Sequence, residues 1–244
     1  MVNANRRYWN EISRAYQADF AAQIGAAPRL WGMFSIPDTE LRALGDVTGL
    51  RILEVGCGAG PWSRSLAADA SLMVGLDLSE VQLEAARAAM RSVRYPLVQA
   101  AAEQLPFPDE CFDLVCCDHG GLSWAPPDIA LPEAARVLRR SGRLVFNVTS
   151  PWHDVCYDHE ADAVTPRLWH DYFSVGPRDE GDGARTYQLT YGGWIRALRR
   201  AGLLIDDLIE PRPAPEAGSG YLNADPPDWA HRWPAEIIWV TRKP

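Results

Sequence analysis

Long apolar runs are missing from this 244-residue chain. Stretches such as Leu203 to Ile205 fall far short of the roughly 20 residues a helical membrane span needs, so that class is excluded. The polar first ten residues lead into no apolar signal core, and the expected location is the cytoplasm. Positive charge is scarce as well. With 24 Lys and Arg against 32 Asp and Glu, the net charge of −8 repels phosphate polyanions, and no nucleic-acid partner is expected. Cysteine is too sparse and odd in number for a disulfide framework: Cys57, Cys111, Cys116, Cys117 and Cys156 are expected as free thiols. No repeat or low-complexity tract occurs. What remains, at 47% hydrophobic residues, is an ordinary globular composition, and the length favours one domain.

Within residues 3–25, Trp9, Ile12, Tyr16 and Phe20 recur at helical spacing, which predicts an amphipathic helix ending at Gly25 ahead of Pro28. From 50 to 149 short apolar runs (51–55, 72–76, 97–98, 113–117 and 143–148) alternate with helical patterns. Ser79 and Gln82 form a capping-box signature, and a second helix is expected over 128–139, closed by Gly142. This βαβ rhythm predicts a doubly wound parallel sheet. Residues 150–190 break the rhythm and read as an insertion on the substrate side. In the last quarter a helix over 192–202 precedes apolar runs at 203–209 and 237–240, which would add a strand hairpin. Six of the ten tryptophans lie after residue 150, either as packing or as the wall of an aromatic pocket. Arginine-rich stretches at 136–143 and 196–200 read as solvated helix faces near C-termini.

The most informative segment is the glycine turn Leu53-Glu-Val-Gly-Cys-Gly-Ala-Gly-Pro61, between a predicted strand and a helix. Its glycines let a ligand lie against main-chain N–H groups, and Pro61 suits a first helical turn. A nicotinamide fingerprint would require a glycine at Pro61, so that oxidoreductase reading is the weaker alternative. After the next strand comes Asp77, a carboxylate placed to hold a ribose diol.

Together with Val74-Gly-Leu-Asp-Leu-Ser79, residues 101–113 and residues 132–145, this turn resembles the class I S-adenosylmethionine-dependent methyltransferases, in particular the small-molecule, ubiquinone-methylase-like group. The resemblance implies a mainly parallel, seven-stranded Rossmann-like sheet with an N-terminal helical lid and a C-terminal hairpin. On it the chain divides into a lid (1–49), a cofactor core (50–149), the insertion (150–190) and a C-terminal helix with strands (191–244). It also implies S-adenosylmethionine held by Glu54, Gly56, Cys57, Gly58 and Gly60, by Asp77, Leu78 and Gln82, and by Ala102, Glu103 and Asp118. Tyr16 and Trp31 would close the entrance, whereas Trp9 reads as packing. Where many relatives carry an adenine-binding aspartate, this chain has Ala101.

Methyl transfer mainly requires alignment and exclusion of water, with a general base when the acceptor must lose a proton. His119, beside Asp118 at a strand's carboxyl end, is the candidate base. Trp152, His153 and Tyr191 are candidates for contact with a small-molecule acceptor. No metal is expected, since the 153–159 window matches no zinc spacing. A protein that binds the cofactor without turnover is the other alternative.

Overall fold

The βαβ rhythm resolves, in a computed structural model that describes residues 2–19, 29–90, 93–214 and 227–244, into thirteen strands. In chain order these are β1 (Leu30–Trp31), β2 (Ile36–Pro37), β3 (Arg51–Val55), β4 (Leu72–Asp77), β5 (Leu97–Gln99), β6 (Phe112–Asp118) and β7 (Leu138–Thr149). There follow β8 (Tyr157–Asp158), β9 (Ala163–Val164), β10 (Arg178–Gly181), β11 (Ala184–Thr186), β12 (Leu204–Ile209) and β13 (Glu236–Arg242). Seven of them form one sheet in the order β12-β13-β7-β6-β3-β4-β5, parallel from β7 to β5 and antiparallel at β13 and β12. The remaining six pair as small hairpins.

Burial explains why the central strands are mostly apolar, with Glu54, Asp113 and Asn147 as buried exceptions: both faces of the sheet are covered. Alternate side chains divide between two clusters. Leu53, Val115, Phe146 and Trp239 pack with Trp194 and Leu198, whereas Ile52, Leu114, Val145 and Ile238 pack with Trp62 and Leu66. Helices Pro127–Val137 and Tyr191–Arg200 cover the first face, and helix Pro61–Leu66 the second. Pro61 sits in the first turn of its helix, and the Ser79 hydroxyl accepts from the Gln82 N–H at the start of helix Glu80–Ala89, a cap contributing about 1 kcal/mol. The five cysteines are free.

Three expectations change. The helix expected over 128–139 ends at Val137, and Gly142 does not close it. Leu138 is already extended, and 138–149 forms one strand whose register slips between Phe112 and Leu114, with Ser141 at φ 62°. Nor is Arg136 a solvated cation. It pairs with Glu133 and Asp109 and donates to the Leu105 and Phe107 carbonyls, clamping the loop before β6, while Arg139 reaches buried Asp113 at 2.6 Å. Arg196, Arg199 and Arg200 are exposed as expected. Finally, the N-terminal helix, described as Val2–Asp19, buries Asn5 and Ser13 most deeply and leaves Trp9, Ile12 and Tyr16 half-buried. Phe20, Gly25 and Pro28 lie outside the described residues.

Strand order reverses direction between β3 and β6, and in open α/β sheets the crevice at such a switch, outside the carboxyl ends, is where ligands bind.

Candidate active site

A cleft of about 740 Å³ opens at that switch point. Its floor is made where the ends of β3 and β6 approach each other. Gly56 has φ 81°, and a Cβ there would run into the backbone of Gly120 and Gly121. Only glycine satisfies both constraints. Gly58, at φ 53°, donates its N–H to Asp77 at 2.8 Å, and the other Asp77 oxygen accepts from the Ser79 N–H at 2.8 Å. Burial raises the Asp77 carboxyl above its ordinary value, opposed by these N–H donors.

The N-terminal helix lies over the mouth. Asn5 donates to the Trp124 carbonyl at 2.6 Å, Asn10 accepts from the Ser79 hydroxyl at 2.7 Å, and Gln17 donates to Gln82 at 2.9 Å. Trp9 stands edge-on to Trp124 at 5.0 Å and to Tyr16 at 5.4 Å, so an aromatic wall faces the glycine turn. Asn5, Trp9 and Trp124 are lining residues that the sequence reading passed over or gave to packing.

Ten of the sequence candidates meet in this cleft: Tyr16, Gly56, Gly58, Asp77, Leu78, Gln82, Ala102, Glu103, Asp118 and His119. Behind it, Glu54 is buried and accepts from Ser63, its carboxyl pushed up to about 8 by burial, with Asp118 and Asp77 adding. Cys57 is buried beneath β4, and Gly60, at φ 76°, sits at the start of its helix against the Tyr95 hydroxyl.

Four candidates stand elsewhere. Trp31 is buried away from the entrance, donating to Asp38 at 2.8 Å and packing on Trp62 at 4.5 Å. Trp152 packs on Trp233 in a separate apolar cluster. Tyr191 donates to Glu210 at 3.2 Å beside edge strand β12. His153 is buried, with its ring stacked on Tyr157 and Nδ1 3.7 Å from Asp154. Aromatic richness after residue 150 is thus largely packing at Trp152, Trp194, Trp229 and Trp239.

His119 lines the cleft at the end of β6, and two residues absent from the sequence reading surround it. The Asn147 amide donates to Asp118 at 2.9 Å and to Glu236 at 3.1 Å, bridging the two carboxylates. Glu236 lies 3.4 Å from His119 Nε2 and accepts from the Met33 N–H. Antiparallel pairing places the first residue of β13 at the carboxyl rim, opposite Thr149. Burial works against the His119 charge, but Glu236 and Asp118 outweigh it and raise the imidazole above its ordinary value. Asp118 is pushed up to about 6 by burial, His119 opposing, whereas Glu236 is lowered because His119 more than offsets its burial. Among the described residues no three His, Cys, Asp or Glu side chains converge as a metal site.

The cleft has the features of a nucleoside site: a main-chain cradle that a Cβ would fill, a carboxylate beyond it and an aromatic cover. The methyltransferase domain family matches residues 53–146. The chain is 34% identical over 198 residues to demethylmenaquinone methyltransferase of Clavibacter sepedonicus, covering 78% of this chain and 79% of that one. It is 36% identical over 115 residues to fatty-acid O-methyltransferase of Mycolicibacterium smegmatis, covering 46% and 42%. Its fold is similar to that of an S-adenosylmethionine-dependent methyltransferase from Mesorhizobium loti, with TM-score 0.67, 24% identity and coverage of 84% and 96%.

Proposed function

The chain belongs to the class I S-adenosylmethionine-dependent methyltransferases that act on small molecules, and from that premise we propose that it methylates an oxygen, nitrogen or carbon atom of a small organic acceptor entering beside His119. S-adenosylmethionine is the cofactor, and it supplies a methyl group activated by a positive sulfur.

Asp77 would accept from the ribose hydroxyls, and the Gly56 to Gly60 turn would take the donor's main body. Leu78, Ala102 and Glu103 would border the base, with Tyr16 and Trp9 excluding water. Asp118 and His119 would meet the acceptor, and His119 would take its proton. His153, behind His119, would shape that end without touching the acceptor directly. The curated relatives named for demethylmenaquinone and fatty acids make apolar acceptors the first to try.

The observation that carries this reading is the joining of the Asp77-braced glycine turn and His119 in one cleft. Calorimetric titration with S-adenosylmethionine, S-adenosylhomocysteine and NAD tests it. Binding of the first two in the micromolar range with none of NAD supports it. Failure of both sulfur nucleosides, or tighter binding of NAD, overturns it.

A further inference from the structure

The polar cluster beneath His119 is elaborate for a residue that merely shapes a loop. His119 holds a left-handed backbone at φ 48°, tethered through its N–H to the Asn147 carbonyl at 3.2 Å. Such a conformation costs a non-glycine residue free energy and persists where the surroundings enforce it. Its Nε2 is sealed from solvent with no hydrogen-bond partner, and the facing group is the Glu236 carboxylate at 3.4 Å, an ion-pair distance. Glu236 is itself fixed by the Asn147 amide and the Met33 N–H. Gly32, at φ 63°, donates to both Asp118 oxygens at 3.1 and 3.2 Å, and a Cβ at that glycine would collide with the Glu236 carboxylate. The β1–β2 turn is thereby fastened onto both acids.

Resting on the transferase reading above, we infer that Glu236 is a positioning residue that holds Nε2–H of His119 and leaves Nδ1 to the cleft as proton acceptor. The methyl acceptor is accordingly one whose attacking oxygen or nitrogen carries a proton. As that atom bonds to the methyl carbon, the carbon–sulfur bond breaks with its electron pair left on sulfur, and the O–H or N–H proton passes to Nδ1. The positive charge that sulfur loses reappears on the imidazolium beside Glu236 and Asp118. An aprotic acceptor such as a thioether, which has no proton to give, would leave this arrangement without use.

The titratable groups facing His119 are Asp118, which precedes it at the end of β6, Glu236 on β13 and His153 on helix Pro151–Cys156. Glu236 supports the protonated imidazole, and a close opposite charge typically moves a titration by about one unit or more. Proton NMR of the histidine ring resonances, with His119 assigned by a His119→Asn variant, reads this directly. In Glu236→Gln the His119 titration should fall by about one pH unit or more, and Glu236→Asp should recover most of it. An unchanged His119 titration in a folded Glu236→Gln variant overturns the positioning role, and if that variant does not fold, an unmoved titration in a folded Glu236→Asn or Glu236→Ala variant does the same. Transfer to a panel of phenols and primary amines, measured as S-adenosylhomocysteine formed, should rise with pH through the His119 titration and shift with it in Glu236→Gln. Transfer confined to dimethyl sulfide overturns the acceptor class. Absence of calorimetric binding of S-adenosylhomocysteine to wild type would instead sink the transferase reading, whatever the NMR titration shows.

Discussion

Replacing Glu54 by Gln tests the electrostatics of the cleft without needing an acceptor. Glu54 is buried behind the glycine turn, and burial, reinforced by Asp118 and Asp77 and opposed by the Ser63 hydroxyl, moves its carboxyl from 4.5 to about 8. Because the folded protein holds this proton more tightly than the unfolded chain, its stabilising effect is complete below pH 4.5 and is lost as pH rises toward 8. At about 1.4 kcal/mol per pH unit the full loss is about 5 kcal/mol, and some 3 kcal/mol of it falls below pH 7. Gln keeps an oxygen for Ser63 and has nothing to titrate. Urea unfolding of both proteins at pH 5, 6, 7 and 8 should therefore show the wild type losing several kcal/mol relative to the variant across that range. Parallel stability curves would refute the argument, because they would mean that Glu54 is ionised throughout.

Asp77→Ala should weaken S-adenosylhomocysteine binding by about 1.5–3 kcal/mol, the usual worth of hydrogen bonds to a charged group, and unchanged calorimetric affinity would remove Asp77 from the ribose site. Gly56→Ala should lower the unfolding midpoint and abolish cofactor binding, since its Cβ meets the backbone of Gly120 and Gly121; a variant that binds normally would show that the two strand ends separate freely. Arg136→Ala should cost about 1–2 kcal/mol in denaturant unfolding, because two loop carbonyls and two carboxylates lose their donor, and no loss would mean that the 105–109 loop is held by apolar contacts alone.

The glycine-turn side of the cleft was legible because its physics is local: positive-φ glycines, a cap at Ser79 and a strand-end acid lie within one βαβ unit. The βαβ alternation carried the doubly wound parallel sheet, whereas the expectation of seven strands came from the family resemblance. That Trp31, Trp152 and Tyr191 stand outside the cleft was not legible, because an aromatic residue signals burial and says nothing of which apolar cluster receives it. Asn147 and Glu236 escaped for the opposite reason. Each is a polar residue beside an apolar run, visible as an interruption at Phe146-Asn-Val148 and before Ile237, but only the antiparallel register of β13 brings them together. Gly142 read as a helix stop because a glycine after a helical run commonly is one, whereas here the chain passes directly into β7.

The placement of β13 between β7 and β12 has a kinetic consequence. Asp77 and Gly58 are 19 residues apart, but Glu236 meets Asn147 across 89 residues and Met33 across 203. Loop closure over such separations is slow, so contacts within the first βαβ units form sooner than those made by the inserted strand. During folding the glycine-turn side of the cleft is therefore assembled ahead of the side where Glu236 meets Asn147 and Met33. A refolding experiment that follows nucleoside binding and the His119 environment separately would see the two arrive in that order.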